Sequence, residues 1–193
     1  MFPLPIISGY TLVVTVFFGL MRVSEFTCSN NFDPEINLSF QDISFNDSNS
    51  IMYVRIKASK TDPFRFGCII RLAAIPGHAL CPLAIMKRYL EIRGPRSGPL
   101  FLFSDGRFVT RNYVLAFIRI TLPNSDNVNT HSFRIGGASA ALSAGASDSL
   151  IRVMGRWSSD CYNRYIRISD QQVKRFQTDI SAGHTTRIWD GDS

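Results

Sequence analysis

Apolar and polar positions fall along this chain in blocks with two different periods. Residues 10 to 20 are almost unbroken in apolar side chains, which predicts a helix buried on all sides. Met21-Arg22-Val23-Ser24-Glu25-Phe26 reads as the continuation of that helix, while Pro3, Pro5 and Gly9 interrupt the approach to it. The pattern then shortens to strand period. Residues 38 to 45 alternate loosely, Asp47-Ser48-Asn49-Ser50 reads as a turn, and residues 51 to 57 are β-branched and aromatic. Ala58-Ser59-Lys60-Thr61-Asp62-Pro63 predicts a loop, because Pro63 cannot donate to a ladder, and residues 66 to 72 supply a third strand. The expected result is a small antiparallel meander.

Helical period returns after Pro82, which suits a first helical position, and runs to Arg93. A loop over residues 94 to 99 and a short apolar segment over 100 to 103 follow. Thr110 is placed to cap a helix over residues 111 to 121, with Val114, Phe117 and Ile118 on one face. Thr130 is placed to cap a helix beginning at His131 and running through the small residues 136 to 142. Ser147 and Asp148 open a further helix to Met154, closed by Gly155. Ser158 or Ser159 begins the helix that carries Tyr162 and Tyr165, a weaker helix is expected over 170 to 180, and residues 181 to 193 form a loose polar tail.

Composition narrows the classes. With 193 residues, 45% of them hydrophobic, the chain has enough material for one domain over residues 1 to 180. The formal charge of +6 favours a polyanionic partner. The apolar start has no basic leader, and residues 10 to 20 are too few to cross a bilayer, so neither a signal peptide nor a membrane partner is expected. Cys28, Cys68, Cys81 and Cys161 are dispersed without a Cys-x-x-Cys pair, which suits a reducing interior. His78, His131 and His184 are equally scattered, so no metal site is expected.

The candidate chemistry lies in a few polar residues set against this apolar background. His131 and Arg134 stand three apart and on a helix would share a face, where an imidazole and a guanidinium can converge on an anion such as a phosphate. Arg22 and Glu25 have the same spacing at the end of the apolar run. Lys60 sits on the turn of the meander, and Lys57 in the strand before it competes for the same role. Tyr165 offers a nucleophile.

In order, Gly19-Leu20-Met21-Arg22-Val23-Ser24-Glu25, Ser59-Lys60-Thr61, His131-Ser132-Phe133-Arg134, Met154-Gly155-Arg156-Trp157 and Arg164-Tyr165-Ile166 resemble the motifs of the tyrosine recombinase (phage integrase) catalytic domain. The wording Ser-Lys-Thr-Asp-Pro-Phe-Arg and Gly-Arg-Trp-Ser-Ser looks most like recombinases of eukaryotic DIRS- or crypton-type mobile elements. The resemblance spans roughly residues 10 to 170. It implies an α+β fold, mainly helical, with a small three-stranded antiparallel sheet at its edge. It also implies DNA strand cleavage and rejoining: Arg22 and Arg134 clamp the phosphate, Tyr165 attacks it, Lys60 protonates the leaving oxygen and His131 serves as acid or base. Glu25 would orient Arg22. Trp157 takes a place where many relatives have histidine, and can donate one N–H but cannot shuttle a proton.

Tyr165 follows Trp157 by eight positions and Tyr162 by five, so Tyr162 is the alternative nucleophile. Arg111, Arg156 and Arg164 are the expected phosphate-backbone contacts. The resemblance further implies double-stranded DNA as partner, a tetramer on DNA, no metal or small-molecule cofactor, and a nuclear location. The chain starts at the catalytic domain, so the helical DNA-clamping domain that precedes it in relatives is expected to be absent. Three other readings compete: a DNA-binding remnant without cleavage, a type IB topoisomerase, and an unrelated phosphate-handling enzyme.

Overall fold

A computed structural model describes residues 4 to 157, apart from 30, 59 to 61, 63, 65, 104 and 123 to 126, together with 174, 177 and 178. The chain divides into two compact units, Met1–Arg134 and Ile135–Ser193. The first is built from α1 (Leu4–Phe18), a 3-10 turn over Val23–Glu25, a second over Phe40–Asp42, strands β1 (Ile43–Phe45), β2 (Ile51–Ile56) and β3 (Cys68–Ala73), and helices α2 (Pro82–Arg93) and α3 (Arg111–Thr121). Helix α4 (Ser132–Ser143) begins at its end, and α5 (Asp148–Gly155) lies in the second unit.

The strands form one antiparallel sheet in the order β1-β2-β3. Register pairs Ile43 with Val54 in the first ladder, and Val54 with Ile70 in the second. Strand alternation therefore sends Met52, Val54 and Ile56 with Ile70 and Leu72 into the core. Tyr53, Arg55, Ile69 and Arg71 share the opposite face. Leu12, Val16, Met21, Met86, Tyr89, Phe101, Val114 and Ile118 complete the same core, each buried aliphatic side chain contributing about 1.5–3 kcal/mol. The third strand starts at Cys68 rather than Phe66, and only the last three residues of the expected first strand pair as strand.

Helix α1 starts earlier than the proline pattern suggests. Pro5 falls in its first turn, where a missing N–H costs nothing. Gly9 is needed further on: a Cβ there would come 2.7 Å from the Phe117 ring of α3. Ser8 and Thr11 are fully buried and donate to the carbonyls of Leu102 (3.0 Å) and Ile7 (2.6 Å), while the buried Thr15 hydroxyl has no hydrogen-bond partner among the described residues. Tyr10 is 39% exposed, so the helix is not buried on every side.

The expected continuation of this helix through Glu25 does not form. Leu20 takes a left-handed conformation (φ 46), its N–H donates to Phe17 O (3.4 Å), and the Met21 N–H donates to Val16 O (3.0 Å). That pair of bonds is a Schellman turn, and the αL residue is normally glycine. Leucine there costs about 1 kcal/mol, set against the burial of its side chain.

Helices α2 and α3 run over the spans expected for them. The Thr110 hydroxyl accepts from the Tyr113 N–H at 3.3 Å, as an N-cap should. In the second unit the Ser147 hydroxyl likewise accepts from the Leu150 N–H at 3.2 Å. Helix α5 closes with another Schellman turn, in which Arg156 N–H reaches Val153 O and Trp157 N–H reaches Arg152 O, both at 3.1 Å. The left-handed residue is Arg156 (φ 55), not Gly155 as the sequence suggests. Gly155 serves a different purpose: a Cβ on it would overlap the six-membered ring of Trp157, which lies against its Cα.

Candidate active site

The break after α1 decides where Arg22 stands. Once Leu20 turns the chain, Arg22 is extended (φ -84, ψ 146) and caps the 3-10 turn Val23–Glu25. Glu25 reaches back, and its carboxylate accepts from the Arg22 backbone N–H at 2.9 Å and from Arg22 Nη1 at 3.0 Å. Its side chain is wholly buried while that of Arg22 keeps 18% exposure. Glu25 thus fixes both the backbone and the head group of Arg22, the contact of an orienting carboxylate.

Arg134 enters from the other end of the unit. It lies in the first turn of α4, is 1% exposed, and donates from Nη1 to the Leu20 carbonyl, two residues from Arg22. A contact across 114 positions therefore joins the arginine of α4 to the helix break that presents the other arginine. His131 sits at the surface in the turn before α4, with part of its ring covered. Its N–H donates to Asn129 Oδ1 at 2.8 Å, and Asn129 N–H donates to Ser132 Oγ at 3.1 Å, so a local Asx turn sets its place. Partial burial first, then the charges of Arg134 and Arg22, hold the His131 pKa below its ordinary 6.5.

Arg22, Glu25, His131 and Arg134 all belong to the first unit, where Arg134 bonds to the helix break that presents Arg22, and both arginines lower the His131 pKa. Glu25 already balances Arg22, so the net positive charge left over is that of Arg134, which favours a further anion. The neutral imidazole can accept or relay a proton, and two guanidiniums can stabilise charge on phosphoryl oxygens.

Lys60, Tyr162, Tyr165 and Arg164 lie outside the described residues. Lys57, the rival to Lys60, follows β2 and pairs with Asp42 at 2.7 Å, where both side chains are largely covered. Asp42 also accepts from the N–H and hydroxyl of Ser39 at 2.8 and 2.7 Å, so Lys57 serves as the counter-ion of a buried carboxylate. Trp157 belongs to the second unit, its indole resting on Gly155. Arg111 is exposed at the start of α3, and Arg156 Nη1 donates to Met154 O at 3.1 Å. Neither the Asp42–Lys57 pair nor the Leu20 carbonyl acceptor has a local sequence signal, since both depend on long-range contacts. Among the described residues no cluster of His, Cys, Asp or Glu could hold a metal ion, and no described helix is long and apolar enough to cross a membrane.

The mixed arrangement of helices around a three-stranded antiparallel sheet is that of an integrase catalytic domain. Among solved structures, it matches the Tn1549 transposon integrase in complex with transposon right end DNA, with a TM-score of 0.54 and 14% identity, over 89% of this chain and 58% of that one. The same integrase in complex with circular intermediate DNA gives a TM-score of 0.52 and 13% identity, over 88% of this chain and 57% of that one. This chain therefore spans well under two thirds of the integrase chains it resembles, and at these identities the likeness is one of fold. No family model matches the sequence, and none of the curated proteins does.

Proposed function

We propose that this protein cuts and rejoins DNA by transesterification at a phosphodiester, as a recombinase of a mobile element. The observation that carries the reading is the bond from Arg134 to the helix break that presents Arg22, on the fold of an integrase whose structures contain DNA. Arg22 and Arg134 bind the non-bridging oxygens and stabilise the charge that builds on them during in-line attack. The Tyr165 oxygen forms a bond to phosphorus as the bond to the 5′ oxygen breaks, leaving a 3′-phosphotyrosyl ester. Lys60 gives its proton to the departing 5′ oxygen, which leaves as a hydroxyl, and His131 accepts the proton of the phenol. Attack by another 5′-hydroxyl reverses the sequence and joins a new strand. Because the ester keeps the bond energy, the cycle consumes no nucleotide. The Ser59-Lys60-Thr61 and Gly155-Arg156-Trp157 wording supports a mobile element of DIRS or crypton type, and with it a nuclear workplace.

The test uses a pool of nicked random-sequence duplexes in which cleavage releases a short strand and traps the ester. A protein–DNA adduct resistant to detergent is expected from the native chain and from Tyr162→Phe, and none from Tyr165→Phe. DNA binding without any adduct would mark a binding remnant instead. Adduct yields unaltered by Arg22→Gln and Arg134→Lys would refute the phosphate clamp.

A further inference from the structure

Between β2 and β3, Phe64 and Phe66 stand 78% and 87% exposed, their rings 5.8 Å apart and inclined at 41°. The Asp62 carboxylate accepts from the Phe66 N–H at 3.1 Å and the Gly67 N–H at 2.7 Å. Gly67, at φ 68, brings the chain so close to β2 that a Cβ would lie 2.5 Å from the Ile56 carbonyl oxygen. The backbone that presents the Phe66 ring is therefore tied to Asp62 and to β2.

The surface around them is positive. Register places Arg55 and Arg71 with Tyr53 and Ile69 on the outward face of the sheet, and both arginines are exposed. Neither forms an ion pair with a described residue. Arg55 and Phe66 border a cleft of about 350 Å³ with Lys57, Ile69 and Glu35. Glu35 is the acid of that cleft, and Lys57 is already matched by Asp42. The excess charge falls to the two guanidiniums: Arg55 borders the cleft with Phe66, and Arg71 lies further along the same face of the sheet. A partner that offers anions and flat apolar faces together is a nucleic acid, and a duplex must open a base step to receive a ring.

We propose that Phe64 and Phe66 form a wedge that partly unstacks one base step of duplex DNA while Arg55 and Arg71 hold the flanking phosphates. This rests on the DNA reading above and adds to it a site of DNA deformation. Stacked bases lie about 3.4 Å apart, too close to admit a phenyl ring without kinking. Apolar wedges inserted between base steps kink DNA by roughly 20–90°. Pyrimidine–purine steps open most easily, so the wedge selects by deformability rather than by reading base edges.

The experiment uses the full chain and duplexes with 2-aminopurine beside a central TA step or inside an A-tract. Native protein should raise the fluorescence at the TA step and leave the A-tract unchanged. Phe64→Ala/Phe66→Ala should abolish the rise and weaken binding roughly 5- to 100-fold, with the salt dependence unaltered. Arg55→Ala/Arg71→Ala should keep the rise but flatten the salt slope by about one per arginine. Both pairs are exposed, and unfolding midpoints matching the native chain would show that the fold is intact. A phenylalanine double variant that binds and unstacks like the native protein overturns the wedge. So does one whose only change is the loss of self-association in sedimentation, which would make the rings a contact between copies. A native chain that forms the covalent adduct but does not need the rings sinks this proposal alone. A native chain that binds no DNA sinks both.

Discussion

Arg93 and Arg134 are equally hidden from solvent, each 1% exposed, yet their surroundings differ in kind. Arg93 ends α2 and spends its donors on carbonyls: Nε on Leu100 O (2.7 Å), Nη2 on Pro99 O (2.7 Å), and Nη1 on Gly94 and Arg96 O (both 2.8 Å). It also lies over the Phe40 ring at 5.6 Å. Arg93 knots a loop to a helix. Arg134 makes a comparable bond to the Leu20 carbonyl, but it does so beside a histidine whose proton affinity it lowers, with Arg22 acting on the same ring. Burial and hydrogen bonding alone would class the two together. What separates them is where the charge acts: Arg93, with Arg96 nearby, is enclosed by carbonyls, whereas Arg134 and Arg22 both act on an imidazole.

The sharpest way to break this contrast is Arg93→Met, which leaves the Pro99, Gly94 and Arg96 carbonyls without the guanidinium. A loss of about 3–5 kcal/mol is expected, or roughly 6–20 °C in the thermal midpoint, with cleavage by the remaining folded protein unchanged. Arg22→Gln should act in the opposite sense. Glutamine can still meet Glu25, so the midpoint should move little while single-turnover cleavage falls about 10²- to 10³-fold. A cleavage loss that merely tracks the midpoint would erase the distinction. A gentler probe is inorganic phosphate: at about ten times its Kd it should stabilise the native chain and Arg93→Met by about 1.4 kcal/mol. Arg22→Gln should not respond.

The smallest expected effect is on pH dependence. The unfolded chain protonates His131 before the folded one does, so the stability it contributes is complete above about pH 6.5 and is lost as pH falls through the lower folded pKa. His131→Gln should flatten that part of the curve, as should saturating phosphate in the native protein. An unchanged slope in His131→Gln would show that the two arginines do not govern the imidazole.

Where the signal is local, the sequence was legible. The Pro82 start of α2, the Thr110 and Ser147 caps and the β-branched, aromatic stretch of β2 all appear where composition and capping chemistry put them. Arg22 and Glu25 were found at the right spacing but for the wrong reason. They are joined by a 3-10 turn after a helix break, because an all-apolar run carries no period from which to read its own end. The break depends on the αL conformation of Leu20 and on an arginine 114 positions away, neither of which a short window contains. The role of Arg93 was hidden for the same reason. A basic residue in a last helical turn is ordinary, and nothing nearby shows that four carbonyls will enclose it.

The flat seating of an indole on Gly155 carries a consequence for descent rather than for chemistry. Position 155 cannot accept even a methyl group while position 157 holds its ring in this pose. The glycine and the tryptophan are therefore expected to change as a unit: a sequence that swaps the first must release or replace the second.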